Sequence, residues 1–225
     1  LLEGEAVGGQ IANSPKVENF PTIPEISGSD FADKFFEQIT SWGAELEYDR
    51  VTEVEKKDGL FKVKTEYSEY EAKAVIAATG VKHRHLRCPG EEELIGNGVY
   101  FCALCDGPFY SGREVALIGD GNTAMQYALI LSGICTKVHL LTLTDKFFGD
   151  KILEKRLKEK ENILHVPFVS VTKFNGSDKL ESIEFVNTQN GETHTLEVPA
   201  AFVSIGQIPD NKTFSPLCEL DGQGY

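Results

Sequence analysis

Two cysteines separated by two residues and followed at once by an acid, Cys102-Ala-Leu-Cys105-Asp106, stand in a chain with five cysteines in all. Thiols at this spacing can close a low-strain disulfide, and such pairs often ionise more readily than a free thiol. A carboxylate one residue on could move a proton during exchange. The residue types therefore allow a redox pair, a structural bridge or plain thiols, and half of a zinc site. Zinc needs two further ligands, and no second C-x-x-C or histidine pair stands at the usual spacing. His83-x-His85 with Cys88 could chelate a metal, but the polar run around them reads better as a solvated linker, so no metal site is expected. Cys88, Cys135 and Cys218 stand alone and read as ordinary thiols.

A second group lies just downstream. Gly119-x-Gly121-x-x-Ala124 falls between an apolar run, Val115 to Ile118, and a helical pattern in which Ala124, Tyr127, Ala128 and Leu131 share one face. Glycines there permit a tight turn and close approach of a pyrophosphate, and the helix N-terminus supplies amide donors. A tight turn with no ligand is the competing reading. Asp120 inside the loop is an awkward neighbour for a diphosphate.

The elements that must hold these groups read as an α/β chain. Ser29 can cap a helix over 29–42, with Phe31, Phe35, Ile39 and Trp42 at helical spacing and Gly43 at its end. Asp58-Gly59 predicts a hairpin turn. Ala74 to Gly80, "AVIAATG", predicts a buried strand of small residues whose end approaches a cofactor closely. Residues 81–98 are polar and hold Pro89 and three glycines, which marks a domain boundary. Beyond the glycine loop, strands are expected at "KVHLLTL", 163–174, 180–188 and 200–205, with a helix through "KILEKRLKEKEN". The first residues read as a strand ending on Glu3, an acid of the kind that binds a ribose, with no glycine fingerprint before it. The last, "LCELDGQGY", read as a strand and turn, so the chain is expected to be a fragment.

Composition limits the function classes. The 225 residues suggest one or two domains, and 41% hydrophobic with 25% charged residues is a globular profile. No apolar run reaches the length of a membrane span and no secretory leader pattern opens the chain, so a cytoplasmic thiol protein is expected. A net charge of −13 argues against nucleic acid, which calls for clustered Lys and Arg.

The run "CALCDGPFYSGREVALIGDGNTA" closely resembles the cysteine motif and second nucleotide fold of low-molecular-weight thioredoxin reductases. "VGGQ", "VENFP", "AVIAATG", "PGEEEL" and "FVSIGQIPDN" match that family in order and spacing along essentially the whole chain. The resemblance implies two Rossmann-like domains, an FAD domain built from both chain ends and interrupted by a pyridine-nucleotide domain that holds the cysteines and swivels. It places them at 1–83 with 208–225, and at 84–207. It implies a flavoprotein, usually a homodimer, that passes electrons to thioredoxin or a similar small disulfide protein.

Carried over by position, Cys102 and Cys105 are the redox disulfide, with Cys105 facing the flavin, and Asp106 is the acid/base. Glu3, Gly9, Gln10, Asn19, Thr79 and Gly80 contact FAD, and Val51 its adenine end. Gly119, Gly121, Asn122, Thr123 and Ala124 line the second nucleotide site. One departure stands out. The family's second strand there ends in His-Arg-Arg followed shortly by Phe-Arg-Ala, whose arginines hold the 2′-phosphate of NADPH. This chain reads "LTLTDKFFGD", with Thr142, Leu143 and Thr144 for His-Arg-Arg and Phe148-Gly149 for Arg-Ala. No acid ends the strand to hold an NAD ribose either. NADPH is therefore doubtful as donor, reduced ferredoxin is favoured over it, and a flavin dithiol oxidase that uses oxygen is the alternative enzyme.

Overall fold

The computed structural model describes residues 1–12, 17 and 20–225. The chain is α/β and divides into two compact units. Leu1–Lys82 and Ile208–Tyr225 form one, and His83–Gln207 form the other, inserted between them.

The inserted unit is built on a five-stranded parallel sheet. Its order is Ile163–Val166, Lys137–Leu141, Glu114–Ile118, Ala201–Val203 and Val99–Tyr100. Side chains alternate across a strand, so Glu114–Ile118 faces two ways. Val115 and Leu117 pack with Met125, Ala128 and Leu131 of the helix Asn122–Ser132 and with Leu153 and Leu157 of the helix Lys151–Lys158. Ala116 and Ile118 pack instead with Val171, Phe174, Ile183 and Phe185 of a three-stranded antiparallel sheet, Val169–Asn175, Ser182–Asn187 and Thr193–Glu197. Three layers result, with a core on each face of the parallel sheet. The run expected as one strand over 163–174 is two strands in two sheets. Phe168, at φ +61°, turns the chain between them. The strand Thr193–Glu197 escaped the sequence reading because its side chains are mostly exposed and show no apolar alternation.

Residues 81–98 are not a solvated linker. Leu94 is buried, and Glu91 is fully buried. Its carboxylate accepts the backbone N–H groups of Leu86 and Arg87, which allows an acid to lie in a core. Gly90 has φ +83°, and a Cβ there would lie 2.0 Å from the Phe174 carbonyl, so only glycine fits against the antiparallel sheet. His83 and His85 are ring partners of Phe101, at 5.3 and 4.7 Å. Glu91→Ala strands two backbone donors, and the expected loss is about 2–5 kcal/mol in denaturant unfolding.

In the other unit, the strands Leu2–Glu3 and Glu47–Tyr48 pair in parallel. Val51–Lys57, Leu60–Thr65 and Glu69–Ala72 form an antiparallel sheet around buried Val54 and Val63. Asp58 and Gly59 both have positive φ, as the expected hairpin turn requires. The helix spans Gly28–Ser41, and its cap is Ser27 rather than Ser29, with the Asp30 N–H donating to Ser27 Oγ. Phe31 is buried against Phe20 and Phe35, whereas Trp42 ends the helix 78% exposed.

Two expectations fail here. Ala74–Gly80 forms no strand, and Ile76 is 92% exposed. No described segment pairs with it, and small side chains bury too little area to hold a strand without a ladder. The last residues form no strand either. Asp221 accepts the N–H groups of Gln223 and Tyr225 and closes a turn.

Candidate active site

Cys102 and Cys105 form a disulfide with their Cα atoms 5.4 Å apart. Both are half-buried, Cys102 just before and Cys105 within a single helical turn, Ala103–Asp106. The turn exists because Cys102 itself caps it. Its backbone is extended, its carbonyl accepts the Asp106 N–H, and its Sγ accepts the Cys105 N–H at 3.2 Å. An N–H aimed at Cys102 Sγ favours negative charge on that sulfur. Behind the turn, Gly107 is buried, and a Cβ there would lie 2.9 Å from Leu131 Cδ2, which seats the turn on the long helix.

The Asp106 carboxyl is half-buried and makes no hydrogen bond or ion pair among the described residues. Burial holds its pKa above the ordinary aspartate value. It thus keeps its proton to a higher pH than a surface aspartate, as an acid working near neutrality must. The lone cysteines differ. Burial, and next the charge of Glu91, push the Cys88 thiol up to about 11, and burial also raises that of buried Cys135. Among the described residues, no group of three or more His, Cys, Asp or Glu could hold a metal ion.

The glycine loop has the form its spacing implies. Gly119 has φ +142°, and a Cβ on it would lie 2.1 Å from the Ser204 carbonyl, so the strand end and the next strand close directly on each other. Gly121 is the N-cap of Asn122–Ser132, and no side chain caps that helix. Asn122 and Thr123 are exposed at its first turn, while Ala124 is buried below. The segment after the second strand returns to this loop. The Phe148 N–H donates to the Asp120 carbonyl, and the Asp150 N–H to Asn122 Oδ1.

Comparison with known proteins decides what this arrangement belongs to. The family model described as "Pyridine nucleotide-disulphide oxidoreductase" matches residues 1–225. A thioredoxin reductase of Treponema pallidum is 33% identical over all of this chain and 73% of its own length. The chain belongs to this family, beside its low-molecular-weight thioredoxin reductases. A bifunctional thioredoxin reductase/thioredoxin of Mycobacterium leprae is 36% identical over 100% of this chain, which spans only 50% of that longer protein. Among solved structures, the Lactococcus lactis thioredoxin reductase aligns with a TM-score of 0.82, at 32% identity, covering 100% of this chain and 75% of that one. The T. acidophilum thioredoxin reductase gives 0.80 and 29%, covering 100% and 74%. The fold is that of these proteins, α/β with two Rossmann-like domains.

In family terms the remaining candidates fall in the first unit. Glu3 ends a parallel strand, and its Oε1 accepts the Glu5 N–H at 2.9 Å, which leaves a fixed carboxylate at the strand end. Gly9 and Gly80 have φ of +50° and +67° with nothing within 4 Å of a would-be Cβ, so both edges are open to a ligand. Gln10 Nε2 donates to the Val81 carbonyl, and Thr79 Oγ1 donates to Asn211 Oδ1. Val51 is half-buried opposite Thr65. Asn19 lies outside the described residues. A carboxylate at a strand end, small residues leading to Gly80 and open glycine edges fit a dinucleotide cofactor.

Sequence reasoning missed the residues behind the second strand's end. Thr142 is buried, not a surface group of the nucleotide site. Its hydroxyl donates to the Thr144 carbonyl at 2.6 Å and therefore accepts from His165 Nε2 at 2.7 Å. Burial lowers the His165 pKa, with the nearby Asp145 charge opposing, so the ring is neutral near pH 7. A histidine 23 residues away is no signal that local spacing could offer.

Proposed function

We propose that this chain belongs to an FAD-dependent disulfide reductase that passes electrons through Cys102 and Cys105 to thioredoxin or a similar small disulfide protein. In this reading Leu1–Lys82 with Ile208–Tyr225 holds the flavin, and His83–Gln207 is the pyridine-nucleotide-type domain. The observation that carries it is the half-buried Cys102–Cys105 disulfide, with an N–H on one sulfur and a protonatable acid one residue beyond. FAD, when bound, supplies the electron pair. That pair enters at Cys105 Sγ as the S–S bond breaks, and Cys102 leaves as a thiolate beneath the Cys105 N–H. The Cys102 thiolate then attacks the partner's disulfide, expelling one partner thiolate and leaving a mixed disulfide. Cys105, as thiolate, attacks Cys102 Sγ, which restores the internal disulfide and releases the second partner thiolate. Asp106 gives and takes the protons that these thiolates exchange.

The test is anaerobic. Full-length protein should show flavin absorbance, and its reduced form should reduce thioredoxin disulfide. Absence of flavin would reduce the chain to a binding module. We favour reduced ferredoxin over NADPH as donor, since a protein donor needs no cradle for a 2′-phosphate. The missing phosphate cations also suit a second reading, a dithiol oxidase that draws electrons in from a small dithiol and passes them to oxygen. Rapid oxygen consumption with a dithiol, and none of the thioredoxin activity, would favour it.

Asp106→Asn should fold and bind flavin yet turn over about 10²–10⁴-fold more slowly. In the parent protein the rate should fall as pH rises through the raised Asp106 pKa, because the proton is lost. Steady-state rates across pH should show that limb missing in the variant. Unchanged turnover would leave Asp106 a structural residue.

A further inference from the structure

The segment that holds the disulfide is closed at its base by a second, noncovalent tie. Tyr100 lies two residues before Cys102, at the end of an edge strand of the parallel sheet, and Tyr110 ends the 3-10 turn that follows Asp106. Their hydroxyls are 2.9 Å apart. The Tyr100 proton is committed to the Gly96 carbonyl at 3.1 Å, so Tyr110 is the donor between the two. Both rings rest on fully buried Phe202, with centroids 5.7 and 6.4 Å away. The Tyr110 carbonyl in turn accepts the Arg113 N–H and the Cys135 thiol. The two ends of the redox segment are thus anchored to the same core and to each other.

This matters when the disulfide opens. In the oxidised state the S–S bond holds Cys102 and Cys105 together whatever else is present. In the dithiol state that bond is gone, and the separation of the two sulfurs depends on what still holds 100–110 in shape. Burial, followed by the bond to Tyr100, pushes the Tyr110 phenol far above its ordinary pKa, so the tie keeps its proton wherever the thiols titrate.

We propose that Tyr100 and Tyr110 are positioning residues: their hydroxyl pair staples the redox segment so that the reduced thiols stay at disulfide-forming distance. The proposal rests on the redox reading of Cys102–Cys105. Loss of the staple widens the dithiol ensemble and leaves the oxidised form almost untouched, so the disulfide forms less readily. A net hydrogen bond of ordinary strength corresponds to roughly a two- to tenfold shift in that equilibrium, at most about 30 mV.

The experiment equilibrates full-length protein anaerobically with a series of glutathione buffers, the disulfide plus two GSH giving the dithiol plus GSSG. Alkylation and mass spectrometry read the dithiol fraction. Tyr110→Phe and Tyr100→Phe keep the rings on Phe202 and break the same hydroxyl contact from either side, so one serves if the other fails to fold. The expected result is a two- to tenfold shift toward dithiol in each, with the double variant shifted no further. Variants that melt earlier but keep the parent equilibrium would make the pair merely structural and overturn the proposal. A parent disulfide that resists glutathione at every ratio would instead overturn the redox reading itself.

Discussion

Full-length protein with Cys102→Ser or Cys105→Ser binds flavin normally and has no measurable thioredoxin reduction. A hydroxyl cannot form the disulfide that accepts the electron pair, and a lone thiol cannot resolve a mixed disulfide with its partner. The candidate flavin residues Glu3, Gly9, Gln10, Thr79 and Gly80 all belong to the first unit, and the cysteines belong to the second. Neither thiol is thus required to hold the cofactor. The two variants also differ in kind. Cys105→Ser keeps both the Cys102 sulfur and its N–H donor, since that donor is the backbone of residue 105. It should trap a mixed disulfide with a supplied oxidised partner, whereas Cys102→Ser should not. Flavin absorbance, thioredoxin-coupled reduction and non-reducing electrophoresis check the three statements. Full activity in Cys102→Ser would rule out the mechanism.

NADPH is expected to reduce the flavin at least about a hundredfold less effectively than in relatives that keep the arginines. A 2′-phosphate carries nearly two negative charges, and each lost charge-assisted hydrogen bond costs about 1.5–3 kcal/mol. Two or three such losses amount to several powers of ten in affinity. The structure sharpens the argument from sequence. Thr142 is turned into the core and bound to His165, which is neutral near pH 7 and offers no replacement charge. Leu143 and Phe148, which replace arginines, are 59% and 65% exposed and present only apolar surface. Asp145 and Asp150 add negative charge to the same stretch of chain, and Asp120 stands in the loop that the Phe148 N–H bonds, against the ammonium groups of Lys146 and Lys151. A flexible lysine is a poor substitute for the planar fork of an arginine. Titrating oxidised full-length protein with NADPH under nitrogen is decisive, and rapid bleaching at micromolar NADPH would show the inference to be wrong.

The sequence by itself determined the features that live within a few residues. The Asp58-Gly59 turn and the strand–glycine–helix order around Gly119 and Gly121 follow from backbone geometry over short spans, whereas the spacing of Cys102 and Cys105 only allowed a disulfide, which the family resemblance then implied. The continuous apolar run from Val115 to Ile118 announced a buried strand because both of its faces are covered. Tertiary structure alone decided matters where the partner is distant. Glu91 read as one acid in a charged linker, and only the fold showed that it serves two amides inside a core. Ala74–Gly80 had the composition of a central strand, but a strand is completed by neighbours, and composition says nothing of them. The pairs Tyr100–Tyr110 and Thr142–His165 had no periodic signal, because a hydroxyl finds its partner through the packing of whole elements. Chemistry set by covalent spacing was legible in the chain, whereas its electrostatic surroundings were fixed only when remote segments met and excluded water.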